Sequence, residues 1–189
     1  MYAQLIGLLA FLTVGVSALG SSVKVVRQGD QALVEFLGKY EGKKLEPGLT
    51  FLTPFIEYVA FKDTLREQIL EMPPTQCITS DRQNVNVDFV IYWKVLDLEK
   101  ACYKVQDLKA AMLNLLLVSI RSQMATMQSE EILTGRKTIN DALVEELDVA
   151  TEPWGIKVTR VELRDFTIGS NNNSQNVAHS STKKAFAFD

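Results

Sequence analysis

The sequence predicts an α+β protein: antiparallel strands packed with two main helices, behind a single N-terminal transmembrane helix. Three observations carry this. Met1 to Val23 contains no charged side chain. From Asn84 to Val95 every odd position is apolar, namely Val85, Val87, Phe89, Ile91, Trp93 and Val95, the period of a strand buried on one face. Farther on come two helix-length stretches, one entered at Asp107 and the other stopped by Pro153.

The first stretch reads as a membrane anchor built on Leu5, Ile6, Leu8, Leu9, Phe11, Leu12, Val14, Val16 and Leu19. At about 1.5 Å of rise per residue, roughly 20 such residues cover the ~30 Å hydrocarbon layer, and a helix satisfies its own backbone where lipid offers no partner. The alternative is a signal peptide, since Val16-Ser17-Ala18 and the small residues up to Ser22 resemble a cleavage site. Against it, no Lys or Arg precedes the apolar run, and the run exceeds the roughly 7 to 15 residues of a signal-peptide core. Lys24, Arg27, Lys39, Lys43 and Lys44 all follow the span, so the body is expected on the cytoplasmic side. No proline interrupts the segment, which favours a single pass over a re-entrant hairpin.

After the anchor, Val23 to Arg27 and Ala32 to Phe36 are β-prone runs joined by Gln28-Gly29-Asp30-Gln31, which predicts a hairpin. Gly38, Gly42, Pro47 and Gly48 then punctuate a loop carrying Lys39, Lys43 and Lys44. Leu49, Phe51, Leu52, Phe55 and Ile56 surround Pro54 in an unusually apolar continuation. One reading folds this loop back onto the core. The other rests it on the bilayer, with Phe51 and Phe55 in the interface and the lysines at lipid head groups.

Strands are predicted at Tyr58 to Lys62 and Leu65 to Glu71, the second ended by Pro73-Pro74. Asn84 to Val95 is the spine of the sheet. Asp97 caps a short turn at Leu98 to Tyr103, and Asp107 caps a helix from Leu108 to about Met127. Ala110 to Ile120 within it is almost wholly apolar but too short to span a bilayer, so the helix is expected against the sheet or partly against a neighbouring subunit. A second helix, Arg136 to Thr151, places Ile139, Leu143 and Leu147 on one face. Trp154-Gly155 turns the chain into a last strand, Ile156 to Ile168, whose alternation slips near Arg160, the signature of a bulge. From Gly169 an Asn/Ser-rich stretch follows, which cannot bury enough apolar area to offset its ordering entropy.

Composition and residue types argue against catalysis. With 20 basic and 23 acidic residues the formal charge is -3, which excludes nucleic acid as the expected partner. Cys77 and Cys102 are too few for a disulfide scaffold, and the single histidine, His179, lies in the polar tail, so neither a zinc cluster nor a nucleophile-histidine pair is expected. Asp81, Asp88, Glu162 and Asp165 read as solvated or salt-bridged carboxylates on strand faces. Gly29, Gly38, Gly42 and Gly48 fit neither phosphate-binding glycine pattern. The expectation is no enzyme activity, with no catalytic, cofactor-binding or metal-binding residues and no cofactor.

Several segments in order resemble a known family, the SPFH or band-7 domain of stomatins, prohibitins and flotillins, with the stomatin-like branch closest. Arg27 to Val34 with Leu37 to Tyr40 resembles its opening hairpin, and Pro47-Gly48-Leu49 with Pro54-Phe55 the following loop. Leu65 to Gln68, Thr79-Ser80-Asp81 and Val87-Asp88 to Val95 resemble the central strands, Ile120-Arg121 the helix motif, and the continuous run from Trp154-Gly155 through Glu162 to Asp165 the most specific stretch. The resemblance covers about residues 23 to 168. It implies an α+β domain in two subdomains on one membrane face, a 24–95 membrane-proximal β-rich subdomain and a 96–168 helical subdomain with the final strand, which join the 1–23 transmembrane anchor and the 169–189 disordered tail that the residues themselves give.

What the resemblance implies for function is a single-pass, membrane-anchored, non-enzymatic scaffold that self-associates side by side into large rings or cages at the lipid bilayer and organises lipids or membrane proteins, with membrane proteases or channels as clients. Stomatin-like chains continue into a long Ala/Glu/Arg-rich helix that pairs subunits as a coiled coil. This chain has an Asn/Ser stretch without heptads there, so a homo-oligomer weakened by the lack of that helix is expected. The rival expectations are an exported soluble binding domain freed by cleavage after Ala18 or Gly20, and an accessory subunit of a membrane protease.

Overall fold

The computed structural model describes residues 22–169. The nine anchor residues from Leu5 to Leu19 and the tail from Ser170 lie outside the described residues. No helix among the described residues is long and apolar enough to cross a membrane. In chain order the strands are β1 (Val23–Val26), β2 (Asp30–Phe36), β3 (Lys39–Leu45), β4 (Gly48–Phe51), β5 (Glu57–Thr64), β6 (Gln68–Glu71), β7 (Thr75–Ile78) and β8 (Asn84–Val95). Helices α1 (Leu98–Tyr103), α2 (Leu108–Thr126), α3 (Ser129–Thr134) and α4 (Arg136–Thr151) follow. A single 3-10 turn, Glu152–Trp154, leads into β9 (Ile156–Ile168).

β8 is the spine the alternation predicts. Along one edge it pairs antiparallel with β9, from Val85 opposite Ile168 to Val95 opposite Ile156. Its other edge is shared end to end by β6 and β7. The odd residues Val85 to Val95 are at most 2% exposed, and α2 and α4 cover them through Met112, Leu116, Ile120, Leu143 and Leu147. The slip near Arg160 is a bulge: Tyr92 faces Arg160 but Trp93 faces Val158. The skipped Thr159 turns its hydroxyl to the Tyr92 carbonyl at 3.0 Å. A second slip falls between Asp88 and Phe89, which skips Arg164.

The cap residues act as their types require. Asp107 accepts from the Ala110 N–H at 3.0 Å and Asp97 from the Glu99 N–H at 3.2 Å, occupying donors that an isolated helix start leaves unpaired. Gly155 sits at φ 70°, and a Cβ there would lie 2.7 Å from the Asp97 carbonyl oxygen. Only glycine fits this corner between β8 and β9. α4 in turn protects the outer edge of β9. Asn140 Oδ1 accepts from the Leu163 N–H at 3.1 Å and Asp148 Oδ1 from the Val158 N–H at 3.2 Å, so these edge groups are closed to another strand.

The N-terminal strands depart from the sequence expectation. β1 does not form a hairpin with β2; it pairs with β4, Val23 opposite Phe51 and Val25 opposite Leu49. The Gly29 turn exists, at φ 88°, but it serves as a corner between sheets. Its carbonyl accepts from the Leu65 N–H at 2.8 Å and the Thr64 hydroxyl at 3.1 Å, and the Arg66 guanidinium reaches the Gln28 carbonyl. The stretch after Gly38 is not a loop. Leu37 and Gly38 both take positive φ, 50° and 84°, as a two-residue primed hairpin turn requires, and this lays β3 against β2. β2 also pairs with β5, giving the order β3-β2-β5. The strand predicted from Leu65 begins only at Gln68, while β7 and α3 had no counterpart in the expectation.

Two cores result. The larger is gathered by β6–β9 and the helices; the smaller contains Val26, Ala32, Val34, Leu45 and Leu52, with Val59 against it. β8 thus lies within residues 24–95 but pairs along its length with β9 from residues 96–168.

Candidate functional site

The β1–β4 ribbon shows an apolar face to the outside. Register places Val23 beside Phe51 and Val25 beside Leu49, and strand alternation puts all four on one side. Their exposures are 37%, 69%, 66% and 61%, respectively, while Val26 on the opposite side is 4% exposed in the smaller core. The chain then turns at Thr53-Pro54-Phe55-Ile56, where Phe55 takes φ 69° and is 90% exposed. The turn is held by Glu57, whose Oε2 accepts from the Thr53 N–H at 2.7 Å. The Leu37 N–H donates to the Ile56 carbonyl at 3.0 Å, which brings exposed Leu37 at the β2–β3 tip alongside.

Of the four residues read as a membrane-surface loop, Phe51 and Phe55 are presented and Ile56 is half-buried. Leu52 is a correction: at 4% exposure it fills the smaller core, because it alternates with Phe51 and so points inward. The Leu52 N–H donates to the Ser22 carbonyl at 2.7 Å. The start of the described chain is thereby tied to the apolar loop. The sequence reading counted Leu49 in the apolar loop but missed Val25 and Leu37, although the alternation Val23-Lys24-Val25 carries the signal for Val25.

The lysines expected at lipid head groups are mostly engaged elsewhere. Lys43 Nζ lies 2.6 Å from Glu57, and Lys44 Nζ lies 3.2 Å from Asp97 and 3.3 Å from Glu99. The hydrogen bond from Lys43 holds the Glu57 carboxyl below its ordinary value, helped by the Thr53 backbone. Lys39 pairs only with exposed Glu41 at 3.5 Å.

A second polar cluster joins the small sheet to α1. Glu35 accepts from the hydroxyls of Tyr58 and, at 2.8 Å, Tyr103, and these bonds lower its pKa in that order. Burial and the bond to Glu35 push the Tyr103 phenol upward. The Tyr103 ring meets Tyr40 at 5.1 Å and Phe61 edge-on at 5.3 Å.

The remaining motif residues are dispersed and work as joints of the fold. Pro47 and Gly48 lead into β4, Gly48 at φ 134°. Asp81, read as a solvated or salt-bridged carboxylate, instead reaches across the chain to hydroxyl donors, one of them on α3. It accepts from the Ser129 hydroxyl at 2.7 Å and also from the Thr79 hydroxyl; the Thr79 bond, then the Ser129 bond, lower its pKa. Asp88 lies 3.9 Å from Arg164, and Glu162 lies 3.3 Å from Arg160, whose guanidinium covers the Tyr92 ring at 4.1 Å. Trp154 packs against the larger core. Arg121 is exposed on α2. Among the described residues no group of three or more His, Cys, Asp or Glu side chains is arranged to hold a metal ion.

A family model described as SPFH domain / Band 7 family matches residues 24–185. An uncharacterized protein of Methanocaldococcus jannaschii is 36% identical over 158 residues, 82% of this chain and 78% of that protein. The stomatin homolog of Pyrococcus horikoshii is 36% identical over 147 residues, 78% of this chain and 54% of that protein. The stomatin-like protein stl-1 of Caenorhabditis elegans is 35% identical over 148 residues, 78% of this chain and 45% of that protein. The chain thus spans about half the length of these last two relatives.

Proposed function

This chain belongs to the SPFH domain / Band 7 family, and on that premise we propose that it is a non-enzymatic scaffold held at a membrane surface. Membership points to a scaffold-type role. To it we add an N-terminal single-pass anchor built on Leu5 to Leu19, a body on the cytoplasmic side, and self-association at the bilayer around lipids, membrane proteases or channels. We take β1–β5 as the membrane-proximal unit and β6–β9 with α1–α4 as the outer unit.

The observation that carries the reading is the apolar ribbon. Val25, Leu49, Phe51 and Phe55 are at least 61% exposed, in a unit whose first described residue, Ser22, is bonded to Leu52 beside them and follows directly on the uncharged Met1–Ser21 stretch. A large apolar face of this kind in a monomer marks an interaction surface, and here a lipid surface is the partner nearest in sequence. Flotation of the full chain with vesicles, together with intact mass of the mature N-terminus, tests it. The uncleaved protein should float. A protein that stays at the bottom of the gradient with its N-terminus intact refutes the anchor, and one cleaved after Ala18 or Gly20 supports export instead.

A further inference from the structure

The side of the larger sheet formed by β7 and α2 carries an apolar groove with a cation at its rim. Val118, Arg121 and Ala125 follow one another at spacings of three and four and share one exposed face of α2. Val118 is 67% exposed, and Ile78 of β7 is 61% exposed. The cavity between helix and strand, about 390 Å³, is lined by Gln76, Cys77, Ile78, Arg121 and Ala125. From Leu108 to Thr126 the helix contains no acidic residue, and Lys109 and Arg121 are its only charges. A helix of that composition is normally covered all round. Arg121 takes part in none of the ion pairs among the described residues, so the strip presents apolar area beside a cation that has no counter-charge there.

The chain leaves the described residues close to this groove. On one side of β8, Ile78 is the register partner of Asn84; on the other, the Gly169 N–H donates to the Asn84 carbonyl at 2.7 Å. One strand therefore separates Gly169 from Ile78, a distance of about 10 Å. Beyond Gly169 the sequence runs through residues 170–184, in which Val177 and Ala178 are the only apolar side chains, to Ala185-Phe186-Ala187-Phe188-Asp189. That last run has what the groove lacks: two aromatic rings at alternate positions, followed by a carboxylate.

We propose that the α2/β7 groove is the docking site of residues 185–189 of the same chain, with Phe186 and Phe188 against Ile78 and Val118 and the Asp189 carboxylate beside Arg121. The tether is long enough. Residues 170–184 span roughly 20 Å on average as a flexible linker, about twice the distance from Gly169 to Ile78. Such a linker holds the segment near the groove at an effective concentration on the order of millimolar, so a weak contact is enough to fill it. The ordering cost falls on five residues, not on the polar run, which serves only to bridge. The other groove, between α4 and β9, offers the aromatic pair less. Its helical wall carries Lys137, Asp141 and Glu145 around Val144, and its strand residues Thr159 to Glu162 precede the exit at Gly169 by seven residues or more. While the segment is seated, the α2/β7 groove is closed to any other partner. This contact is independent of the membrane reading above.

The test is limited trypsin digestion of the full chain in lipid nanodiscs, with the cut after Lys183 or Lys184 followed by intact mass. In the parent the seated segment should keep that cut slow. Ile78→Ser with Val118→Ser should speed it at least about tenfold, and Arg121→Glu about threefold, an effect that adding Asp189→Arg should reverse. Val149→Ser, at a 68% exposed position on α4, is the control and should leave the rate within about twofold. If the double serine change lowers the melting temperature, the Arg121→Glu and Asp189→Arg exchange carries the comparison. Reconstituted together with a Phe186→Ser, Phe188→Ser variant, whose groove is intact, the groove variant should still be cut as fast as alone. A parent cut as fast as the groove variants, or a slow cut indifferent to them, overturns the docking. Protection regained on mixing overturns the same-chain occupant and gives the groove to the segment of a second copy.

Discussion

The β6–β9 sheet and the β1–β4 ribbon are both one-faced, yet their apolar faces meet opposite fates. In β8 the odd residues are at most 2% exposed under α2 and α4, whereas Val23, Val25, Leu49 and Phe51 in the ribbon are 37–69% exposed. Alternation states that a face is apolar but not what covers it. In the sheet the cover is made by the chain itself. In the ribbon nothing among the described residues supplies it. The same residue types therefore hold the fold together in one place and are displayed in the other, and substitutions in the two regions should separate stability from surface binding.

The largest effect belongs to the covered face. Phe89 is fully buried, and Phe89→Ala should cost about 3–5 kcal/mol in denaturant unfolding, the transfer loss and the cavity combined. Gly155→Ala should cost about 2–3 kcal/mol in the same measurement, since it puts a Cβ 2.7 Å from a backbone oxygen at φ 70°. Ser129→Ala, which removes the hydroxyl that Asp81 accepts from, should cost about 1 kcal/mol and let the Asp81 pKa rise in a titration followed by NMR. Against these, Phe51→Ser with Phe55→Ser should change stability by no more than about 0.5 kcal/mol while weakening vesicle binding. A loss of stability comparable to that of Phe89→Ala would show that the ribbon is core after all.

Acid should loosen the joints of both regions. Asp81 and Glu35 titrate below their ordinary values of 3.8 and 4.5 in the folded protein. A depressed carboxylate contributes its stability above the unfolded value and loses it as the pH falls through the folded one. Melting temperature should thus be flat near neutrality and fall below about pH 4.5. Tyr58→Phe with Tyr103→Phe, which removes both donors to Glu35, should make that fall shallower.

Periodicity made the larger core legible: β8, α2, α4, β9 and its bulge follow from spacing and caps. What escaped was set by distant pairing or by short polar segments. β3 is charged and contains Gly42 at φ 88°, so it reads as a loop until the Leu37-Gly38 turn delivers it to β2. β1 chooses β4 over its neighbour because that pairing lets Val26 and Leu52 fill the smaller core together. Asp81 acts on Ser129, 48 residues away, a partnership no local pattern announces. Of the site itself, Phe51 and Phe55 were legible as apolar loop residues, but the inward turn of Leu52 and the companionship of Val25 and Leu49 appear only once the register is known.

The central claim is that the ribbon side meets lipid while the outer face of the larger sheet does not. Ile69 on β6 is 60% exposed and serves as the matched control. Phe55→Trp and Ile69→Trp, each in the full chain reconstituted into vesicles with acyl-chain-brominated lipid, report the difference as fluorescence quenching relative to the parent. The account predicts added emission that is quenched for Phe55→Trp and unquenched for Ile69→Trp. Unquenched emission from Phe55→Trp, or equal quenching at both positions, would contradict it.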